Sequence, residues 1–159
     1  MKSVYLFDWG DTLMVDIKNS SGKMRDWETV IAIDCAQETL KYLSQNAKLY
    51  IATGAAESKE SDIRAAFSRV NLDCYIDGYF CCDNIGVNKG DSDFLPRIVK
   101  KLDVNPKQCY MVGDSLDKDI YPALAAGIKP IWFNANGRIN TGIEPVYSIR
   151  CLSQLKQGR

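Results

Sequence analysis

The chain has 159 residues, of which 46% are hydrophobic and 25% are charged, the usual composition of one globular domain. Its 20 basic and 20 acidic residues cancel, which argues against bulk nucleic acid or an anionic membrane surface as a partner. Histidine is absent and none of the six cysteines forms a C-x-x-C pair, so Ser-His-Asp catalysis, Cys-His catalysis and Cys/His zinc sites are excluded. No secretory signal and no run of roughly 20 apolar residues is visible, and we therefore expect a cytoplasmic protein.

Short apolar runs of strand length alternate along the chain with stretches of helical periodicity. The predicted strands are Val4–Phe7, Leu49–Ala52, Tyr79–Cys82, Tyr110–Val112 and Pro130–Phe133. The predicted helices run from an N-cap at Asp26 to Leu43, from Ile63 to Val70, from Phe94 to Leu102 and from Ile120 to Ala125, followed by a short helix at Leu152–Lys156. Alternation of this kind builds β-α-β units. We therefore predict an α/β fold, a three-layer, Rossmann-like, doubly wound parallel sheet that forms a single domain over residues 1–159.

Polar residues follow four of the predicted strands, where an open parallel sheet binds its ligands. Asp8 follows the first strand, Thr53 and Gly54 follow the second, Lys89 lies a short loop beyond the third, and Asp114 follows the fourth. Any one of these residues alone would be interpreted as a turn, a helix cap or a solvated side chain. Because all of them reach one edge of the sheet, we expect a shared site.

These groups have complementary chemistry. A carboxylate such as Asp8 can attack phosphorus and carry an aspartyl-phosphate. Two anions must then approach each other, and Mg²⁺, which prefers oxygen ligands, can be held by Asp8 and Asp114. The ammonium of Lys89 can screen charge on the transferred phosphoryl group, and Thr53 can donate a hydrogen bond to it.

Four segments, in order, resemble the motifs of the haloacid dehalogenase (HAD) superfamily. They are Phe7–Leu13 (FDWGDTL), Leu49–Gly54 (LYIATG), Lys89, and Val112–Ile120 (VGDSLDKDI), continued by Ala123–Gly127 and Ile131–Asn134. The resemblance spans nearly the whole chain. It implies a HAD-like fold and a magnesium-dependent phosphohydrolase that acts on a phosphorylated substrate.

The resemblance also implies roles for single residues. Asp8 would be both the nucleophile and a magnesium ligand, with the backbone carbonyl of Gly10 and the carboxylate of Asp114 as further ligands. Asp119, favoured over Asp117 by its spacing, would hold a metal-bound water or orient the lysine of the third motif.

The phosphate-binding groups follow from the same resemblance. Thr53, the backbone amide of Gly54 and Lys89 would bind the phosphoryl group, and Thr53 and Lys89 would belong with Asp8 to the catalytic set.

The first motif departs from the family pattern at one position. Phosphatases of this family normally carry an aspartate, the general acid–base, two residues after the nucleophile, whereas this chain has Gly10 there and Asp11 one residue later. Asp11 is therefore a possible acid–base, although neighbouring side chains point in different directions and we favour a hydrogen bond from its own loop. The departure leaves one alternative open, a catalytically weak or inactive HAD-like module that binds ligands or regulates.

The chain has little room for a cap domain. About 20 residues, including the loop Asp16–Arg25, separate Leu13 from the helix that leads to the second strand, too few for an independent domain. We expect a capless protein with an open site that admits a small molecule or an exposed macromolecular phosphate, unless a homo-oligomer covers it. Lys18, Lys23 and Arg25 could touch a substrate, but a solvated loop is the expectation.

Two other families share parts of this pattern. Gly113–Leu116 spells the GDSL esterase signature, which needs a histidine that the chain lacks. Receiver domains of two-component signalling use similar groups, but there the acidic pair comes first and the lysine last, the reverse of the order found here.

Overall fold

The structure, a computed structural model, describes residues 2–139, 142 and 146–157. Six parallel strands form one sheet in the order β3-β2-β1-β4-β5-β6. Their bounds are β1 Ser3–Phe7, β2 Ala47–Ala52, β3 Gly78–Phe80, β4 Cys109–Gly113, β5 Lys129–Phe133 and β6 Ser148–Ile149. The strand order reverses between β1 and β4, the position at which open α/β sheets bind ligands. The predicted doubly wound parallel sheet is confirmed.

Helices cover both faces of the sheet. They are α1 Ala36–Ser44, α2 Glu60–Ser68, α3 Cys82–Ile85, α4 Phe94–Leu102 and α5 Tyr121–Ala125, with a π-helix at Leu116–Ile120 and 3-10 turns at Met24–Asp26, Asp73–Tyr75, Pro106–Gln108 and Leu152–Lys156. No helix in the described part of the chain is long and apolar enough to span a membrane.

Alternate residues of β1 divide the core into two clusters. Phe7 is fully buried and packs with Leu40 of α1 and Phe67 of α2. Leu6, its neighbour, packs on the other face with Phe94 and Ile98 of α4. A strand that is buried on both faces has to be apolar at every position, which explains why the predicted strands appear as continuous hydrophobic runs.

The helix that was predicted from Asp26 is wrong over its first half. Residues 27–35 are largely extended, and α1 begins only at Ala36, after Cys35 takes a left-handed conformation (φ 65°). The extended segment pairs with the chain that follows β1, since Val15 N donates to Ile31 O at 2.8 Å and Ile33 N donates to Leu13 O at 2.9 Å. This pairing of distant segments overrides the local helical periodicity.

Three smaller differences concern element ends. Cys82 begins α3 rather than ending a strand, because the Asn84 side chain accepts a hydrogen bond from Cys81 N at 3.0 Å and caps the helix. The helix predicted from Ile120 is preceded by the π-helix and begins at Tyr121. The strand β6 has only two residues and was not predicted.

Candidate active site

The carboxyl ends of the central strands enclose a cavity of about 620 Å³. Asp8 follows β1 and Thr53 follows β2, and backbone hydrogen bonds from Asp8 N to Val112 O (2.9 Å) and from Thr53 N to Phe80 O (3.0 Å) hold both residues to the neighbouring strands. Lys89, from the loop between α3 and α4, lines the same cavity. The structure thus brings together residues from three separate parts of the sequence.

Lys89 lies at the centre of the charge network. Its Nζ is 2.6 Å from Asp8 Oδ1 and 2.6 Å from Asp119 Oδ1, and its side chain is only 6% exposed. Burial alone would lower the pKa of Lys89, but the two carboxylates outweigh burial and raise it. The lysine is therefore held as a buried cation next to the Asp8 carboxylate.

Three aspartates converge beside this lysine. Carboxylate oxygens of Asp8, Asp114 and Asp119 all lie within 4.8 Å of one another. Burial, with the nearby charge of Asp8, raises the pKa of Asp114 to about 7. Oxygen ligands and concentrated negative charge are what Mg²⁺ requires, so the donor set fits a divalent cation. Asp117, three residues after Asp114, is exposed.

Asp119 is oriented by its own helix. Its Oδ2 accepts a hydrogen bond from Ser115 N at 3.0 Å, which turns the carboxylate back toward β4. A Cβ on Gly113 would lie 2.5 Å from Cβ of Asp119 and closer still to its carboxyl group. Burial raises the pKa of Asp119, while the charge of Lys89 opposes that rise. Only glycine at position 113 leaves space for this side chain.

Thr12 is a site residue that sequence reasoning missed. It is fully buried, and its Oγ1 lies 3.2 Å from Asp8 Oδ2 and 3.4 Å from Asp114 Oδ1. A hydroxyl has one proton to donate, so these carboxylates share a single donor. Thr12 lies within the first motif, but the sequence does not indicate that it would contact Asp114, which follows β4.

Thr53 and Gly54, which follow β2, line the same cavity as Asp8 and Lys89. Thr53 is 4% exposed, and its Oγ1 accepts a hydrogen bond from Ala55 N at 3.2 Å. Because Oγ1 acts as an acceptor there, its own proton remains available for a ligand. A Cβ on Gly54 would lie 3.3 Å from Cβ of Lys89, a tight approach that favours glycine.

Gly10 and Asp11 face different cavities. Gly10 lines the cavity of Asp8, whereas Asp11 lines a neighbouring cavity with Asp114. Asp11 takes a left-handed conformation (φ 58°), and its Oδ1 accepts a hydrogen bond from Asp16 N at 2.9 Å. The Asp11 carboxylate is thus bonded to its own loop.

The loop before α1 lines part of the cavity through Gly22, Lys23, Met24 and Trp27. Lys18 is not among the residues that line it. Lys23 Nζ and Arg25 Nη1 pair with the buried Asp62 of α2 at 2.7 and 3.1 Å. The hydrogen bond from Lys23 is the main reason that the pKa of Asp62 falls to about 2. Part of the loop is thus fastened to α2 and is not freely solvated.

Comparison with known proteins finds similarity to curated phosphatases and a nucleotidase over part of their length. A family model described as haloacid dehalogenase-like hydrolase matches residues 10–127. The N-acylneuraminate-9-phosphatase of Mus musculus is 27% identical over 132 residues, which cover 74% of this chain and 46% of that protein. The pyrimidine 5'-nucleotidase YjjG of Escherichia coli is 27% identical over 125 residues (77% and 54%). The glyceraldehyde 3-phosphate phosphatase of Pyrococcus furiosus is 35% identical over 65 residues (41% and 27%). The chain spans between about a quarter and a half of the length of these curated relatives.

Solved structures share the whole fold at low sequence identity. A HAD phosphatase from Thermococcus onnurineus superposes with a TM-score of 0.76 at 20% identity, covering 99% of this chain and 97% of that chain. A 2-haloacid dehalogenase from Pseudomonas syringae gives 0.79 at 17% identity, with the same coverage. Since the fold accommodates both chemistries, it does not by itself select the reaction. With the family model matching most of its length, the chain belongs to the haloacid dehalogenase-like hydrolases.

Proposed function

We propose that the protein is a magnesium-dependent phosphatase in which Asp8 attacks the phosphorus of a phosphate monoester. One observation carries the proposal: Asp8 lines the cavity, and Lys89 Nζ contacts its Oδ1 at 2.6 Å. The relatives named as glyceraldehyde 3-phosphate phosphatase, N-acylneuraminate-9-phosphatase and pyrimidine 5'-nucleotidase support a phosphorylated small molecule as the substrate class.

Mg²⁺ would be held by Asp8, Asp114 and the backbone carbonyl of Gly10, with Asp119 acting through a bound water. The convergence of three carboxylates within 4.8 Å supports this assignment, because a cation offsets their mutual repulsion. When bound, Mg²⁺ supplies the positive charge that lets an anionic nucleophile approach an anionic phosphoryl group.

Each cavity residue would have a separate role in the first step of the reaction. A carboxylate oxygen of Asp8 forms a bond to phosphorus as the ester oxygen leaves, which produces an aspartyl-phosphate. Lys89 offsets negative charge on the phosphoryl oxygens, and Thr53 Oγ1 and Gly54 N donate hydrogen bonds to them. All of these groups line one cavity.

We also propose that the 159 residues form a single domain without a separate cap. The only elements between β1 and β2 are the 3-10 turn Met24–Asp26 and α1. Substrate selection would then fall to the wall formed by Gly22–Met24 and Trp27. Such a site would admit a small phosphorylated molecule or the exposed phosphate of a larger one.

The test is turnover of a phenolic and an alkyl phosphate ester by the purified protein, with Mg²⁺ and with a chelator. We expect activity with Mg²⁺ only, and we expect Asp8→Asn to abolish it. Asp117→Asn is the matched control, because Asp117 is exposed and lies outside the cavity.

Two results would contradict the proposal. Wild-type activity in Asp8→Asn would exclude Asp8 as the nucleophile. A wild type that binds Mg²⁺ and inorganic phosphate but turns over neither ester would favour the binding module, for which the missing carboxyl group at Gly10 is the structural argument.

A further inference from the structure

The proposed reaction needs a proton donor and acceptor that the residues above do not supply. An alkoxide leaving group must gain a proton, and the water that hydrolyses the aspartyl-phosphate must lose one. A positioned acid–base group contributes about 10²–10⁴ in rate to such steps. The titratable side chains that line the cavity are Asp8, Asp16, Lys23, Lys89, Lys118 and Asp119.

Four of these six side chains already have a catalytic role or an ion-pair partner. Asp8 is the nucleophile, and Lys89 is held between Asp8 and Asp119 at 2.6 Å from each. Asp119, with a side chain 1% exposed, is fixed by that ion pair. Lys23 pairs with the carboxylate of Asp62 at 2.7 Å. None of these four is free to shuttle a proton between substrate and water.

The two that remain are Lys118 and Asp16. An ammonium group has no lone pair with which to take a proton from water, so Lys118 cannot serve the second step in that form. A carboxyl group can donate in one step and accept in the next. The cavity therefore leaves Asp16 as the group able to perform both.

The position of Asp16 supports this role. A side chain on Gly10 would begin at a Cβ only 3.6 Å from Cβ of Asp16 and 3.9 Å from its Oδ2. The carboxyl group of Asp16 thus borders the space that Gly10 leaves open, two residues after Asp8.

The loop holds Asp16 in this place. Asp11 adopts its left-handed conformation and accepts a hydrogen bond from Asp16 N at 2.9 Å, while Asp11 N donates to Met14 O at 2.7 Å. These two hydrogen bonds of Asp11 fold the chain back on itself and fix the backbone at Asp16. The carboxylate of Asp16 is exposed and makes no ion pair within residues 2–139, 142 and 146–157, so both substrate and water can reach it.

We propose that Asp16 is the general acid–base of this site, an inference that rests on the proposed phosphatase function. In the first step Asp8 forms its bond to phosphorus, the phosphorus–ester oxygen bond breaks, and protonated Asp16 gives its proton to the leaving oxygen. In the second step water attacks phosphorus, the Asp16 carboxylate takes the proton from that water, and the bond to Asp8 breaks. Phosphate and alcohol are released, and both aspartates return to their starting states.

The experiment follows product release from Asp16→Asn in the first turnover with Mg²⁺ present. A phenolate leaves without a proton, so we expect the burst of phenol to persist at roughly the wild-type rate, followed by slow turnover as phosphoenzyme accumulates. With an alkyl ester the first step itself should slow by about 10²–10⁴. Asp26→Asn, an exposed acid of the same loop outside the cavity, is the matched control and should behave as wild type.

The outcomes separate the two proposals. Equal loss of the burst with both esters, or wild-type kinetics with both, would overturn the role of Asp16 while leaving Asp8 in place. Activity that survives Asp8→Asn, or a wild type that turns over neither ester, would overturn the phosphatase function and the acid–base role with it.

Discussion

Gly113→Ala should inactivate the site, although Gly113 itself does not line the cavity. The added methyl group would stand 2.5 Å from Cβ of Asp119 and overlap its carboxyl group. Both residues are buried, and backbone hydrogen bonds fix β4 between β1 and β5. The Asp119 side chain must therefore move, and it must give up its contacts with Ser115 N and Lys89 Nζ.

The size of the effect follows from these losses. Overpacking a rigid core costs about 1–3 kcal/mol, and a lost hydrogen bond to a buried charged group costs about 1.5–3 kcal/mol. We expect a total loss of about 3–5 kcal/mol in the free energy of unfolding. For a chain of this size, that loss corresponds to a fall in Tm of roughly 10 °C.

Thermal unfolding in the presence of a chelator measures this loss, and turnover of the phenolic ester measures its effect on the site. Gly90→Ala is the matched control, because no heavy atom lies within 4 Å of a Cβ at that position, although Gly90 also lines the cavity. We expect it to stay within about 0.5 kcal/mol of wild type. If Gly113→Ala keeps the wild-type Tm and activity, the described packing of Asp119 against β4 is wrong.

Three further perturbations test the charge network. Lys89→Met should leave the buried Asp119 and the half-buried Asp8 without their cation and cost about 3–5 kcal/mol in chelator. Mg²⁺ should restore part of that stability, and a Tm equal to wild type would contradict the network. Asp114→Asn should weaken Mg²⁺ binding by about tenfold or more in calorimetry, roughly 1.4 kcal/mol, and unchanged affinity would remove Asp114 from the metal site. Because the folded-state pKa of Asp62 is about 2, below its ordinary value of about 3.9, its contribution to stability is complete above about pH 4 and is lost as the pH falls toward 2. Urea unfolding should therefore show the advantage of wild type over Asp62→Asn shrinking across that interval, and a constant difference would be the contrary result.

The convergence of the site residues could be predicted from the sequence because it depends on topology alone. In a parallel sheet the carboxyl ends of neighbouring strands meet, so Asp8, Thr53 and Asp114 had to reach the same edge once β1, β2 and β4 were recognised. Lys89 follows from the same argument. No distance between side chains was needed to place them together.

What could not be predicted depends on contacts between distant segments. The stretch 27–35 has helical periodicity, yet it is extended because Ile31 and Ile33 pair with the chain after β1. Asp16 gave no signal in the sequence, since its position beside Gly10 requires the left-handed turn at Asp11. Local sequence propensity predicts neither the extended stretch nor the position of Asp16.

The central claim, that Asp8 carries the phosphoryl group, is tested most directly by trapping. The enzyme would be quenched during turnover of the alkyl ester with Mg²⁺ and treated with borohydride, which reduces an acyl phosphate to the corresponding alcohol. Peptide mass spectrometry should then find homoserine at position 8, only in samples that received both ester and Mg²⁺. Continued turnover with an unmodified Asp8, or with the modification on another residue, would contradict the proposed mechanism.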